Sequence, residues 1–181
     1  MNESVDLGKR EFLKTLGSIG GGIALFSSMP WLKGCTPEKL LEIGTEKARV
    51  ALIGCGSRGQ YHLTMLRGIP HAEVVALCDP YKANLDAASS MVPGAKLFDD
   101  YRKLLGQKDI DGVIIATPLG SHAAITLDAL SAGKHVFCEK AMALTMEQCK
   151  AVYDAYAHSD RALYFCMQRM YDPKYIEGVK K

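Results

Sequence analysis

The chain has 181 residues, 48% hydrophobic and 23% charged, proportions that exclude a disordered tail, a collagen-like repeat or a coiled coil and leave room for one packed domain. Lysine and arginine number 22 against 20 aspartates and glutamates, and a formal charge of +2 is too small for a chain that coats nucleic acid or anionic membrane. Six cysteines, at 35, 55, 78, 138, 149 and 166, form no C-x-x-C pair and no close group with histidine, so neither a zinc site nor a small disulfide scaffold is indicated and most read as small buried hydrophobes.

The first segment, residues 1–46, reads as a leader and linker. A basic stretch, Gly8-Lys9-Arg10-Glu11-Phe12-Leu13-Lys14, precedes a weakly apolar run from Leu16 to Leu32 that is interrupted by glycines, serines and Pro30. That run is shorter and softer than the about 20 apolar residues of a membrane span, which favours an export signal over a permanent anchor. It is similar to a twin-arginine signal, with Lys9 in the place of the first arginine. Leu32-Lys33-Gly34-Cys35 is similar to a bacterial lipoprotein cleavage box, which would make Cys35 a lipid anchor. The alternative is a tail with an incidental cysteine. The expected address is therefore exported, periplasmic or membrane-anchored, and cytoplasmic if the leader is not functional.

From Arg49 onward, short apolar runs alternate with amphipathic stretches. Strands are expected at Val50–Ile53, Glu73–Cys78, Lys96–Phe98, Gly112–Ala116, His135–Cys138 and Ala162–Met167. Helices are expected at Arg58–Arg67, Lys82–Met91, Tyr101–Leu105, Ser121–Ala132 and Thr145–Ala157, the last with Met146, Cys149, Val152, Tyr153 and Tyr156 on one apolar face. Most of the strands are too continuously apolar for a one-sided sheet. The rhythm is that of an α/β fold, a doubly wound parallel sheet of about six strands over residues 47–172, with ligands at the carboxyl ends of the strands. A further helix begins at Pro173, so residues 173–181 read as the start of a region cut short.

Gly54-Cys55-Gly56-Ser57-Arg58-Gly59 is a G-x-G-x-x-G directly after the first strand and opening the first helix. The first glycine permits a tight turn, the second lets a pyrophosphate approach the backbone, and the third lets helix and strand pack closely. Asp79 ends the second strand, where a carboxylate accepts hydrogen bonds from an adenosine ribose diol and repels a 2′-phosphate, favouring NAD over NADP. Arg58 reads equally well as a phosphate contact or a solvated helix residue. Thr117-Pro118-Leu119-Gly120-Ser121-His122 follows the fourth strand, with Pro118 stopping the strand, Ser121 placed to cap the next helix, and His122 either touching cofactor or substrate or satisfied structurally. Cys138-Glu139-Lys140-Ala141 follows the fifth strand. From spacing alone, Glu139 and Lys140 read as an exposed pair in a turn; beside a nicotinamide, such a lysine assists a substrate hydroxyl during hydride transfer.

Together the Arg49–Gly59 segment, the Thr117 to His122 loop and Glu139-Lys140 resemble the N-terminal domain of the glucose-fructose oxidoreductase, inositol dehydrogenase and MocA family, over roughly Arg49 to Lys181. The resemblance implies a Rossmann domain that binds a nicotinamide dinucleotide, followed by a C-terminal α/β domain that forms the substrate pocket and oligomer interface. Gly54, Gly56 and Gly59, with Ser57 and Arg58 between them, match the pyrophosphate loop, and Asp79 the ribose acid. Thr117, Pro118 and His122 match the loop beneath the nicotinamide ribose. Glu139 and Lys140 match a Glu-Lys-Pro motif whose lysine is catalytic, with Ala141 where the proline stands. Gln168 and Arg169 match polar residues at the cofactor end of the pocket.

The resemblance implies an NAD-dependent oxidoreductase acting on a sugar or polyol, with no metal and no nucleic acid, homo-oligomeric when both domains are present. This chain alone is expected to bind cofactor without turnover. A leader on such a domain also resembles glycoside hydrolase family 109, in which NAD is reduced and reoxidised within one cycle. A non-catalytic dinucleotide-binding module is the alternative of a different class.

Overall fold

The structure, a computed structural model, describes residues 47–167 and 177–178. The expected leader, Cys35, Gln168, Arg169 and the start of the helix at Pro173 lie outside the described residues. Six strands form one sheet: β1 (Ala48–Ile53), β2 (Ala72–Cys78), β3 (Lys96–Phe98), β4 (Gly112–Ile115), β5 (His135–Glu139) and β6 (Leu163–Cys166). Their order is β3-β2-β1-β4-β5-β6, and every neighbouring pair is parallel. The register between β1 and β2 slips after Val50, which pairs with Val74 while Ala51 pairs with Ala76, so Val75 is the extra residue of a bulge.

The crossovers are α1 (Ser57–Leu66), α2 (Lys82–Met91), α3 (Tyr101–Leu105), α4 (His122–Ser131) and α5 (Met146–Ala157). Because side chains alternate across a strand, the run Val50-Ala51-Leu52-Ile53 feeds both faces. Val50 and Leu52 join Leu63, Leu66 and Leu77 on the side of α1 and α2, while Ala51 and Ile53 join Leu104, Ile125 and Leu130 on the side of α3 and α4. A strand buried on both faces has no room for a polar position, which is why these runs are continuously apolar. Each fully buried Leu or Ile contributes about 1.5–3 kcal/mol.

Helix starts follow capping chemistry. The Thr145 side chain accepts from the Gln148 N–H at 3.3 Å and starts α5, and Asp100 accepts from the Arg102 N–H at 2.9 Å and starts α3. Two expectations need correction. Ser121 does not cap α4: it lies in a short 3₁₀ turn (Leu119–Ser121), its hydroxyl 2.8 Å from both the Thr117 hydroxyl and the Pro118 carbonyl. Ser121 stands at the N-cap position, but its hydroxyl is turned back to the preceding loop and makes no cap hydrogen bond. On α5 the apolar face is narrower than the spacing suggests, since Val152 is fully buried but Met146 and Tyr153 are 78% and 67% exposed. The helix packs chiefly against α4, and a single stripe suffices.

The chain order reverses between β1 and β4, the two central strands. Their carboxyl ends therefore diverge, and the crevice between them is where an open α/β sheet takes a ligand.

Candidate cofactor site

The glycine turn after β1 forms one wall of that crevice. Gly54 has φ +94°, and a Cβ there would stand 2.7 Å from the Ala116 backbone, so the turn lies directly against the end of β4. Its N–H donates to the Cys78 carbonyl at 2.8 Å, tying the turn to β2. At Gly59 a Cβ would meet the Gly54 carbonyl oxygen at 2.0 Å, so only glycine lets α1 come this close to the turn. At Gly56 the same imaginary Cβ meets nothing within 4 Å. That open space lies at the start of α1, whose first turn has no acidic residue and no side-chain cap. Its free N–H groups and the positive end of its dipole suit a phosphate. Ser57 is exposed at this edge and Arg58 is half-buried.

Asp79 is 5% exposed at the end of β2. Oδ2 accepts from the Cys55 N–H at 2.8 Å and from Asn84 Nδ2 at 3.3 Å, and Oδ1 accepts from the Tyr81 N–H at 2.8 Å. The carboxylate thus fastens the glycine turn to the start of α2, and Oδ1 keeps one lone pair for another donor. Neither the Cys55 N–H nor Asn84 was singled out by the sequence pattern. A turn amide has no sequence signature, and Asn84 reads as an ordinary helix residue.

Across the crevice, Thr117 is half-buried and Pro118 exposed. His122 is buried at 2% exposure, with Nε2 2.8 Å from the Thr117 carbonyl oxygen and Nδ1 2.8 Å from that of Ala141. Both ring nitrogens meet backbone oxygens, so the residue bolts the loop after β4 to the loop after β5.

Glu139 and Lys140 diverge sharply. Lys140 is exposed, and its ammonium has no hydrogen-bond partner among the described residues. Glu139 is 5% exposed and turned toward α1. Oε1 accepts from Arg58 Nε at 2.6 Å and from His62 Nε2 at 2.7 Å, while Oε2 accepts from the Lys140 N–H at 3.3 Å. Burial pushes this carboxyl upward, but the hydrogen bonds from His62 and Arg58 and their charge outweigh it and hold it at about 2. The Arg58 guanidinium also lies over the Tyr61 ring, 5.0 Å from its centroid. His62, packed edge-on to Phe137, is the residue that sequence reasoning missed. Its only signal is a position four after Arg58, on the helix face that carries Leu63 and Leu66. The Lys140–Ala141 peptide is cis.

Burial drives the thiols of Cys55, Cys78 and Cys138 up to about 12, so they stay protonated and unreactive at neutral pH.

A parallel sheet in this strand order, with a glycine turn, an open helix N-terminus and an acid ending β2, defines a dinucleotide-binding Rossmann domain. The open space at Gly56 and the lone pair left on Asp79 Oδ1 fit the pyrophosphate and adenosine ribose of NAD. The sequence profile of the GFO_IDH_MocA oxidoreductase family, NAD-binding Rossmann fold, matches residues 48–166, and the chain belongs to this family as its NAD-binding domain. It is 36% identical over 131 residues to the inositol 2-dehydrogenase of Burkholderia multivorans, covering 70% of this chain and 39% of that protein. It is 33% identical over 165 residues to an alpha-N-acetylgalactosaminidase of Shewanella oneidensis, covering 81% and 36%. Among solved structures, scyllo-inositol dehydrogenase from Lactobacillus casei with bound NAD(H) and scyllo-inositol superposes with a TM-score of 0.70 at 29% identity, covering 75% of this chain and 40% of that one. The chain thus spans about two fifths of the length of the relatives it matches.

Proposed function

We propose that this chain is the cofactor half of an enzyme that moves a hydride between NAD and a secondary alcohol carbon of a sugar or polyol. The observation that carries this reading is the exposed Lys140 at the end of β5, on the same edge of the sheet as the open glycine turn. In the reading, Gly54, Gly56, Ser57, Arg58 and Gly59 line the pyrophosphate, Asp79 takes the ribose diol, and Thr117, Pro118 and the His122 loop border the nicotinamide ribose. NAD, when bound there, supplies the hydride acceptor. Lys140 hydrogen-bonds the hydroxyl oxygen of the reacting carbon and stabilises the negative charge on it as the O–H proton passes to a base from the second domain and the C–H hydrogen leaves as hydride. A second domain completes the substrate site and the homo-oligomer contacts.

Calorimetry on the chain tests the cofactor assignment: NAD should bind at least about tenfold more tightly than NADP. Equal affinity for the two would overturn it.

The likeness to an alpha-N-acetylgalactosaminidase, which extends over more of the chain than the inositol dehydrogenase match, favours a second reading. There the same Lys140 serves a hydrolysis in which NAD is regenerated in each cycle. A two-domain protein that releases sugar without accumulating NADH is the glycosidase, and one that accumulates NADH is the dehydrogenase. Full turnover in a two-domain Lys140→Ala variant would remove Lys140 from the catalytic role, and a two-domain protein that binds NAD but turns over no sugar or polyol would make a non-catalytic binding module the better description.

We further propose that residues 1–34 direct export and are removed, and that Cys35 carries a lipid. Mass spectrometry of the membrane fraction should find a mature protein beginning at Cys35. Soluble protein retaining Met1 or Asn2 would exclude it.

A further inference from the structure

The Lys140 segment hangs from the end of β5, and a lysine that must meet one hydroxyl needs its backbone held. Three groups converge on the neighbouring carboxylate. The Lys140 N–H donates to Glu139 Oε2 at 3.3 Å, while Arg58 Nε and His62 Nε2 both donate to Oε1, at 2.6 and 2.7 Å. Arg58 belongs to the partly open start of α1, with a side chain 37% exposed, where water competes for its guanidinium. His62 lies one turn further along the same helix and is 1% exposed, so its bond is the shielded one. Its ring is clamped between Tyr61 and Phe137, with edge-on contacts at 6.1 and 5.5 Å between centroids. Among the described residues the buried Nδ1 has no hydrogen-bond partner, so the ring's polar attachment there is to Glu139.

We propose that His62 is a positioning residue: through Glu139 it fixes the backbone of Lys140 relative to α1, the helix whose start forms the phosphate end of the crevice. It touches neither cofactor nor substrate. The carboxylate, charged at every pH above about 2, is the rigid link, because one oxygen faces the helix and the other faces the Lys140 amide. A hydrophobic residue at 62 leaves Arg58 as the only helix donor to Glu139, and the carboxylate is then free to swing toward solvent and release Lys140. The relevance to catalysis rests on the reading of Lys140 given above.

The test uses amide hydrogen exchange and NAD calorimetry on the chain. His62→Leu should accelerate exchange at the Lys140 amide by at least about tenfold, the loss of a fixed charged acceptor, with NAD affinity unchanged within about twofold. His62→Gln, whose amide nitrogen can stand where Nε2 stood, should restore slow exchange. Equal exchange at Lys140 in the leucine, glutamine and wild-type proteins overturns the proposal, as does a tenfold loss of NAD affinity in His62→Leu with Lys140 exchange unchanged. A measurement on the wild-type protein covers the case in which the leucine variant does not fold. Imidazole nitrogen NMR should find a proton on Nε2 of His62, and a proton on Nδ1 alone would overturn the link to Glu139. Failure of the wild-type chain to bind NAD would sink the functional reading instead, since the exchange and NMR experiments need no cofactor.

Discussion

The two ends of the sheet carry comparable numbers of charged side chains and use them in opposite ways. At the amino ends of the strands, Arg49 Nε donates to the Asp109 carbonyl at 2.7 Å and Nη2 to its carboxylate at 2.9 Å, with Lys96 at 3.2 Å from the same carboxylate. Lys134 is 6% exposed, and its ammonium donates to the carbonyls of Gln107 and Ile110 at 2.6 and 2.8 Å. There the polar groups consume one another. At the carboxyl ends, Asp79, His122 and Glu139 are as deeply buried, but they grip turns and loops that border an opening, and Lys140 stays exposed beside it. Buried polar residues therefore do not mark the site. Backbone left open, at Gly56 and the start of α1, does.

Five experiments would break or sharpen this contrast. The largest effect is expected from Gly59→Ala, since a Cβ 2.0 Å from a backbone oxygen forces α1 off the turn. A loss of about 3 kcal/mol or more in urea unfolding should accompany loss of NAD binding. A variant as stable as wild type would show that the turn is not close-packed.

Next comes acid. The Glu139 carboxyl lies at about 2 in the folded protein against 4.5 for an ordinary glutamate, so its contribution is fully present above pH 4.5 and is lost as pH falls toward 2. The wild type should lose about 3 kcal/mol over that window, and Glu139→Gln should lack that part of the acid limb. Identical acid profiles for the two proteins would mean that the Arg58 and His62 contacts do not stabilise the charge.

At the opposite end, Lys134→Met leaves two carbonyls without their donor and should cost about 2–3 kcal/mol in stability while NAD affinity stays unchanged. Burial lowers the pKa of this lysine, so its ammonium is held by those carbonyls against desolvation. A drop in NAD affinity would show that the two ends are coupled. Asp79→Ala should weaken NAD binding by at least tenfold, about 1.5–3 kcal/mol, in calorimetry. Unchanged affinity would leave Asp79 only the structural task of tying the glycine turn to the start of α2. The smallest effect belongs to Tyr101→Phe, which removes the exposed bond to Asp128 at 2.8 Å between α3 and α4. A cost of about 0.5–1 kcal/mol with no change in NAD affinity is expected in thermal unfolding.

The strands were legible because a doubly buried strand cannot hide: Val50–Ile53, Gly112–Ile115 and His135–Cys138 are apolar at nearly every position. Element boundaries moved by one or two residues where a local feature intervened, as when the 3₁₀ turn displaced the start of α4. The glycine turn was equally plain, because a positive φ at Gly54 and a missing Cβ at Gly59 leave glycine as the only residue type that fits.

What the sequence determined by itself was everything local or periodic: the parallel sheet, the phosphate-type turn, and the placing of Asp79, His122, Glu139 and Lys140 just beyond strand ends. Which way those side chains face was decided by tertiary structure alone. Glu139 and Lys140 are adjacent in the chain, yet one is buried against α1 and the other stands in solvent. His62 lies 77 positions from Glu139, and no local pattern predicts that their atoms meet at 2.7 Å. Hydrogen-bond partners brought together by a fold are chosen by geometry and desolvation, not by spacing along the chain, so the network that holds Lys140 exists only once the sheet has closed against its helices.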